Sequence, residues 1–284
     1  MFRILIGIAG MLALFLSSDS YTDSVREWQT ARNQKLRAPD SWLTLVGLFW
    51  LQPGDNTIGS ADANDFVLPK NSAPAHAGVL HLDGNKVTFR PQSGPVRSLN
   101  FDEEKPDIVK TGSVSFYAIE REGKIGIRAK DSESPVLKNF SGLKYFPVNP
   151  ALHFEAKFLK DEKKIPILNI LGQTEQQESP GIVEFAYQGK THHLRPIFEG
   201  KTLFFLFKDA TNKTQTYQAG RMLNTPLPVD GKVDLDFNHS YNPPCTFTPY
   251  ATCPLPPKEN TLPFAVEAGE LRYQQDHAEF SASR

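Results

Sequence analysis

Along most of this chain apolar residues come in short runs broken by Gly, Pro, Asn and Asp, a rhythm that predicts strands joined by turns. Such runs lie at residues 87–89, 114–119, 125–127, 152–159, 182–187 and 203–207. Arg121-Glu122-Gly123-Lys124 separates the second from the third at hairpin spacing. In residues 153–159 the alternation puts Phe154, Ala156 and Phe158 on one face, which predicts an antiparallel sheet with one wet side. The aromatic and aliphatic run 42–51 opens the first strand pair, residues 53–56 have the composition of a turn, and residues 173–180 read as a polar turn. A helical period is found only at residues 24–36, where Val25, Trp28, Ala31, Arg32 and Leu36 recur about every 3.6 positions before Pro39 and Asp40 end it.

Two stretches fall outside this rhythm. Residues 1–20 carry a positive start at Arg3, an apolar run from Ile4 to Leu16 and then small polar residues, the shape of a signal peptide and shorter than a membrane span. Export to the periplasm or cell envelope is the expectation, with an uncleaved N-terminal membrane anchor as the alternative; once the signal is removed, no stable membrane span is expected. Residues 235–270 hold both cysteines among many Asn, Tyr and Pro residues in an order that fits neither helix nor strand. Pro fixes φ and removes a donor, so this stretch predicts an ordered, irregular loop, and long ordered loops are where sites concentrate.

Composition narrows the class of function. The formal charge of −1 supplies no basic field for a phosphate backbone, so nucleic acid is not an expected partner. With 20 Phe, 22 Pro and 19 Gly the chain suits a turn-rich β protein with a real core.

The candidate chemistry gathers in the irregular loop. Cys245 could act as a nucleophile beside His239, since a thiolate needs a nearby base or positive charge. In an exported protein Cys245 and Cys253 could instead close a small disulfide ring. Cys-x7-Cys misses the short paired spacings of zinc sites, and His192-His193 reads as a strand-end pair, so neither metal nor cofactor is expected. Glu267 is a candidate acid or base and Glu270 could serve likewise, if buried. Arg121, Arg128, Arg221, Asn238, Tyr241 and Asn242 are donors of the kind that hold a small anionic or polar ligand, although Arg221 and the Asn side chains could equally satisfy the loop's own backbone.

Residues 57–60, 64–69 and 76–82 resemble the opening of a forkhead-associated β-sandwich, with Ser60 in place of that family's phosphate-binding Arg and Ala73 in place of its Ser. The resemblance implies a sandwich shape without phosphothreonine recognition. Residues 121–128 and 140–147, Gly220-Arg221 and the string Asp236-Phe237-Asn238-His239-Ser240-Tyr241-Asn242-Pro243-Pro244-Cys245 resemble the bacterial and archaeal family called domain of unknown function 1684, His239 standing where its pattern has Arg. That family implies no activity. The expected fold is mainly β: a signal at 1–20, a short N-terminal helix and antiparallel forkhead-associated-like sandwich over 21–110, and a second β portion over 111–284 carrying the proline-rich loop. Three functions stay open: binding of a small ligand, hydrolysis in the same pocket, or a structural role in the envelope.

Overall fold

The computed structural model describes residues 7–102 and 105–273. The fold is mainly β, as the alternation predicts, and its sheets are antiparallel apart from one short parallel pair. The chain divides into two compact units. A terminal unit takes the described residues up to 35, 142–243 and those from 254 onward, and an inserted unit takes 36–141 and 244–253. Residue 110, where the sequence pattern suggested a boundary, lies inside the inserted unit.

Helix α1 runs Gly7–Leu36. It reaches further back than the periodic stretch 24–36, for no proline interrupts it. The first six residues of the expected signal lie outside the described residues. Among the described residues no helix is long and apolar enough to cross a membrane.

The inserted unit contains two sheets. Strands β1 (Leu45–Trp50), β2 (Gly54–Gly59), β3 (Phe66–Val67), β4 (Gly78–Asp83), β5 (Lys86–Pro91), β6 (Arg97–Leu99), β7 (Val109–Thr111), β8 (Val114–Arg121) and β9 (Lys124–Asp131) form one sheet in the order β1-β9-β8-β7 and another in the order β3-β2-β4-β5-β6. One apolar core joins them, with Ile58, Leu80 and Phe89 from the second sheet and Phe116 and Ile127 from the first. Phe89 meets Phe116 edge-on at 5.2 Å. The run 42–51 is a 3-10 turn followed by β1, which pairs with the distant β9 instead of its neighbour. Residues 53–56 bend as expected, Asn56 Nδ2 donating to the Gln52 and Gly54 carbonyls, yet from Gly54 they already pair with β4. The one-turn helix α2 (Pro135–Lys138) is capped by Ser134.

In the terminal unit, β10 (His153–Leu168), β11 (Thr174–Tyr187), β12 (Lys190–Leu194) and β16 (Lys232–Asp236) pair in the order β12-β11-β10-β16. A three-stranded sheet of β13 (Ile197–Glu199), β14 (Thr202–Phe207) and β15 (Arg221–Pro226) completes it. Strand β14 is apolar without a break because both of its faces are buried: Leu203, Phe205 and Phe207 enter one core, Phe204 and Leu206 another. Ala156 is buried where the alternation placed it, with Phe154 and Phe158 packed alongside. Residues 173–180 correct the reading of a polar turn. From Thr174 onward they are strand, paired residue for residue with β10, and the turn itself is at Asn169, whose Oδ1 accepts from the N–H groups of Leu171 and Gln173. Their polarity is that of a ribbon largely exposed to water.

Candidate functional site

The irregular loop is held by side chains acting as substitute backbone. Where β16 ends, Asp236 Oδ1 accepts from both the N–H and the Nδ2 of Asn238, capping a 3-10 turn over Phe237–His239. Asn238 in turn pairs with Asn149 like a strand neighbour, Oδ1 accepting from its N–H at 2.8 Å and Nδ2 donating to its carbonyl at 2.9 Å. Tyr241 exchanges two backbone hydrogen bonds with Met222 on β15. Glu270 donates its N–H to the Ser240 carbonyl. That approach requires Gly269: its φ is +77°, and a Cβ there would stand 2.4 Å from the Ser240 carbonyl oxygen.

Arg221 fixes the far end of the loop. Its side chain has no exposed surface; Nη1 and Nη2 donate to the carbonyls of Ala268 and Val266, and Nη2 also reaches Asp209 Oδ2 at 2.9 Å. Burial pushes its pKa down, while Asp209, by charge and hydrogen bond, and the charge of Glu270 push it back up. Asp209 Oδ1 also receives the N–H and hydroxyl of Thr211 and the N–H of Val266. These guanidinium bonds tie the chain to itself.

The polar centre beside it faces α1. Tyr21, Val25, Trp28, Arg32 and Leu36 are the less exposed residues of one helical stripe, and Arg32 is the cation within it. Arg32 Nε donates to Glu270 Oε1 at 2.9 Å, Nη2 to the Asn242 carbonyl at 3.4 Å, and the guanidinium lies over the Tyr241 ring at 4.8 Å. Glu270 has no exposed surface, and its Oε2 accepts the Asn242 N–H at 2.7 Å. Burial and the negative charge of Glu270 raise the pKa of Tyr145, whose backbone bridges to Glu270. Tyr241 is likewise raised, chiefly by burial, and its hydroxyl donates to Asn224 Oδ1 at 2.5 Å. Asn242 Nδ2 donates to the Leu271 carbonyl, while its Oδ1 is buried with no hydrogen-bond partner among the described residues. Nearer the helix start, Trp28 lies 4.9 Å from the His239 ring, and Tyr21 donates to Asp236 Oδ2 at 2.9 Å and stacks on His153. Burial lowers the pKa of His239, against the pull of Asp236 and Asp234.

The structure therefore places Tyr241 and Asn242 with Arg32 and Glu270, whereas Asn238 is engaged with Asp236, Asn149 and Tyr21, and Arg221 with Asp209 and the 266–268 backbone. It assigns Arg121 and Arg128 to the other unit: Arg121 Nη1 donates to the adjacent Glu120 carbonyl, and the buried Arg128 lies over Trp42 at 5.5 Å. Cys245 and Cys253 form a disulfide with Cα atoms 6.2 Å apart, so Cys245 holds no thiol with which to attack. Of the two carboxylates at the loop's end Glu267 is exposed and Glu270 buried. His192 is buried against Phe185 and Phe264, and His193 pairs with Glu184. Among the described residues no group of three or more His, Cys, Asp or Glu side chains is placed to share a metal. Sequence reasoning missed Arg32, Tyr145 and Asp209. For Arg32 a signal existed, a cation on the apolar stripe of the helix, whereas Tyr145 and Asp209 meet their partners only through the fold.

Comparison with known proteins places the site within a family. A family model described as "Protein of unknown function (DUF1684)" matches residues 138–271. Over this stretch, just under half of the chain, the sequence is similar to the DUF1684 family. Among solved structures, it is similar to the solution NMR structure of an uncharacterized protein from Haloarcula marismortui, with 32% identity over 47% of this chain and 78% of that one, at a TM-score of 0.40. A search of the curated proteins finds no match. Tyr145, Asp209, Arg221, Asn238, Tyr241, Asn242 and Glu270 all lie within the DUF1684 stretch, and Arg32, Arg121 and Arg128 outside it. The forkhead-associated likeness of residues 57–82 also lies outside the DUF1684 match and rests on the sequence motifs alone.

Proposed function

We propose that this protein is exported and binds a small polar ligand where Tyr241 and Asn242 adjoin the buried Glu270, with Asn238 bracing the loop beside them. Glu270 carries the reading. A carboxylate without exposed surface is costly unless paired and hydrogen-bonded, and here it sits among an aromatic ring, an unpartnered amide oxygen and fixed backbone groups, the mixture that binding sites use. The ligand class differs from the anion suggested by counting arginines, for Arg221 is engaged in holding the loop and the nearest free capacity is for accepting hydrogen bonds. Export is supported by the N-terminal pattern and by a disulfide, a bond that persists in oxidising compartments. The hydrolase reading keeps no thiol at Cys245, and nothing specific favours it. Thermal-shift screening of polar metabolites tests the binding reading: a hit should be lost in Tyr241→Ala or Glu270→Gln and kept in Arg121→Ala. Hits that ignore the first two substitutions would overturn it.

A further inference from the structure

The geometry points to a guanidinium-binding cage formed by Glu270, Tyr241 and Asn242, which takes a small alkylguanidinium ligand and in this structure holds the chain's own Arg32 in its place. The inference rests on the binding reading above and names its ligand class. Three features select a guanidinium. The Glu270 carboxylate and the Asn242 carbonyl accept from two different nitrogens of one planar group, Nε at 2.9 Å and Nη2 at 3.4 Å. The same plane covers the Tyr241 ring at 4.8 Å, where a delocalised, weakly hydrated cation is favoured over an ammonium point charge. The Asn242 side chain adds a buried Oδ1 that has no donor among the described residues.

The division between cage and occupant supplies the second argument. All three walls belong to the stretch that matches the family, and Arg32 comes from α1, more than a hundred residues before that stretch begins. Without a cation the wall residues would bury an uncompensated carboxylate, a cost of several kcal/mol in general. The cage thus demands a cation, and Arg32 supplies it from a different part of the chain. A free ligand of the same chemistry competes with Arg32 for one carboxylate, and binding it releases the Arg32 end of the helix from the loop.

The test uses methylguanidinium on full-length protein. In Arg32→Ala the cage is vacant, and methylguanidinium at about tenfold over its Kd should raise Tm by about 3–5 °C. Methylammonium at equal ionic strength should not, nor should methylguanidinium with Arg32→Ala/Glu270→Gln. L-arginine in place of methylguanidinium distinguishes an amino-acid ligand from a bare guanidino compound by the larger shift. Should Arg32→Ala fail to fold, the wild-type protein decides: titrated methylguanidinium should move the Arg32 Nε–H resonance toward its exposed position. Equal shifts with and without Glu270, or an Arg32 resonance that never responds, would overturn the cage. If an anionic or neutral ligand maps to Tyr241 and Glu270 while methylguanidinium does not, the cage falls and the binding reading stands; if no ligand maps there, both fall.

Discussion

Arg221 and Asp209 form a fully buried ion pair, and removing one partner leaves the other charge stranded. Asp209→Asn should therefore cost about 3–5 kcal/mol in urea unfolding, and Arg221→Met a similar amount, with the loss shared by the 266–270 segment that Arg221 holds. Gly269→Ala tests the same segment from its backbone. A Cβ at φ +77° and 2.4 Å from a carbonyl oxygen forces the chain to shift, and the expected loss is about 1–3 kcal/mol. His239 reports on pH. Its folded pKa is below the ordinary 6.5, so folding favours the neutral ring: the contribution is complete above 6.5 and is lost as pH falls through the lower, folded value. His239→Gln should flatten that part of the stability profile, and an NMR titration placing the ring above 6.5 would contradict the assignment. At this scale the sequence was legible where local chemistry decides, as in Asn238 and the disulfide, and illegible where a partner arrives from far away, as for Glu270 and Arg32, separated by 238 residues.

The elements that could be read were those with one wet face. Strand β10 showed its period because Ala156 is buried while its neighbours Glu155 and Lys157 meet water, and the short hairpin at 121–124 announced its turn with Glu122 and Gly123, both at positive φ. The outer half of β11 showed none, since Thr174–Ser179 is polar on both faces and is a strand only by pairing with β10. The ring 244–253 is a different kind of element, with no repeat at all. It is closed by the disulfide, by the Phe247 N–H on the Pro244 carbonyl, and by Thr248 Oγ1 donating to the Leu45 carbonyl at 2.9 Å. Cys253→Ala should lower stability by about 2.5 kcal/mol, the loop-closure estimate for a ring of this size, and differential scanning calorimetry with and without reductant should show the same loss in the wild type.

For the molecule as a whole the sequence predicted the β class and the irregular loop, with a soft division expected near residue 110. Contacts divide the chain differently, because β1 pairs with β9 and so ties residues 45–50 to 126–130, past any boundary that local composition suggests. The proposed export can be tested on the two cysteines. Mature protein taken from the periplasm should show no alkylatable thiol under denaturing, non-reducing conditions; mass spectrometry finding both cysteines modified would contradict the disulfide and return Cys245 to the list of nucleophiles.

The chain leaves the inserted unit at residue 141 and re-enters it only at 244. During synthesis, residues 36–141 therefore emerge more than a hundred residues ahead of the ring that completes them, and Leu45 waits for Thr248. The terminal unit waits longer still, since Arg32 on α1 has no Glu270 to meet until the loop has been made. Neither unit can reach its final form on a nascent chain that stops short of its last few dozen residues. Closing contacts across so much sequence is slow, because the loop-closure entropy must be met before those contacts form.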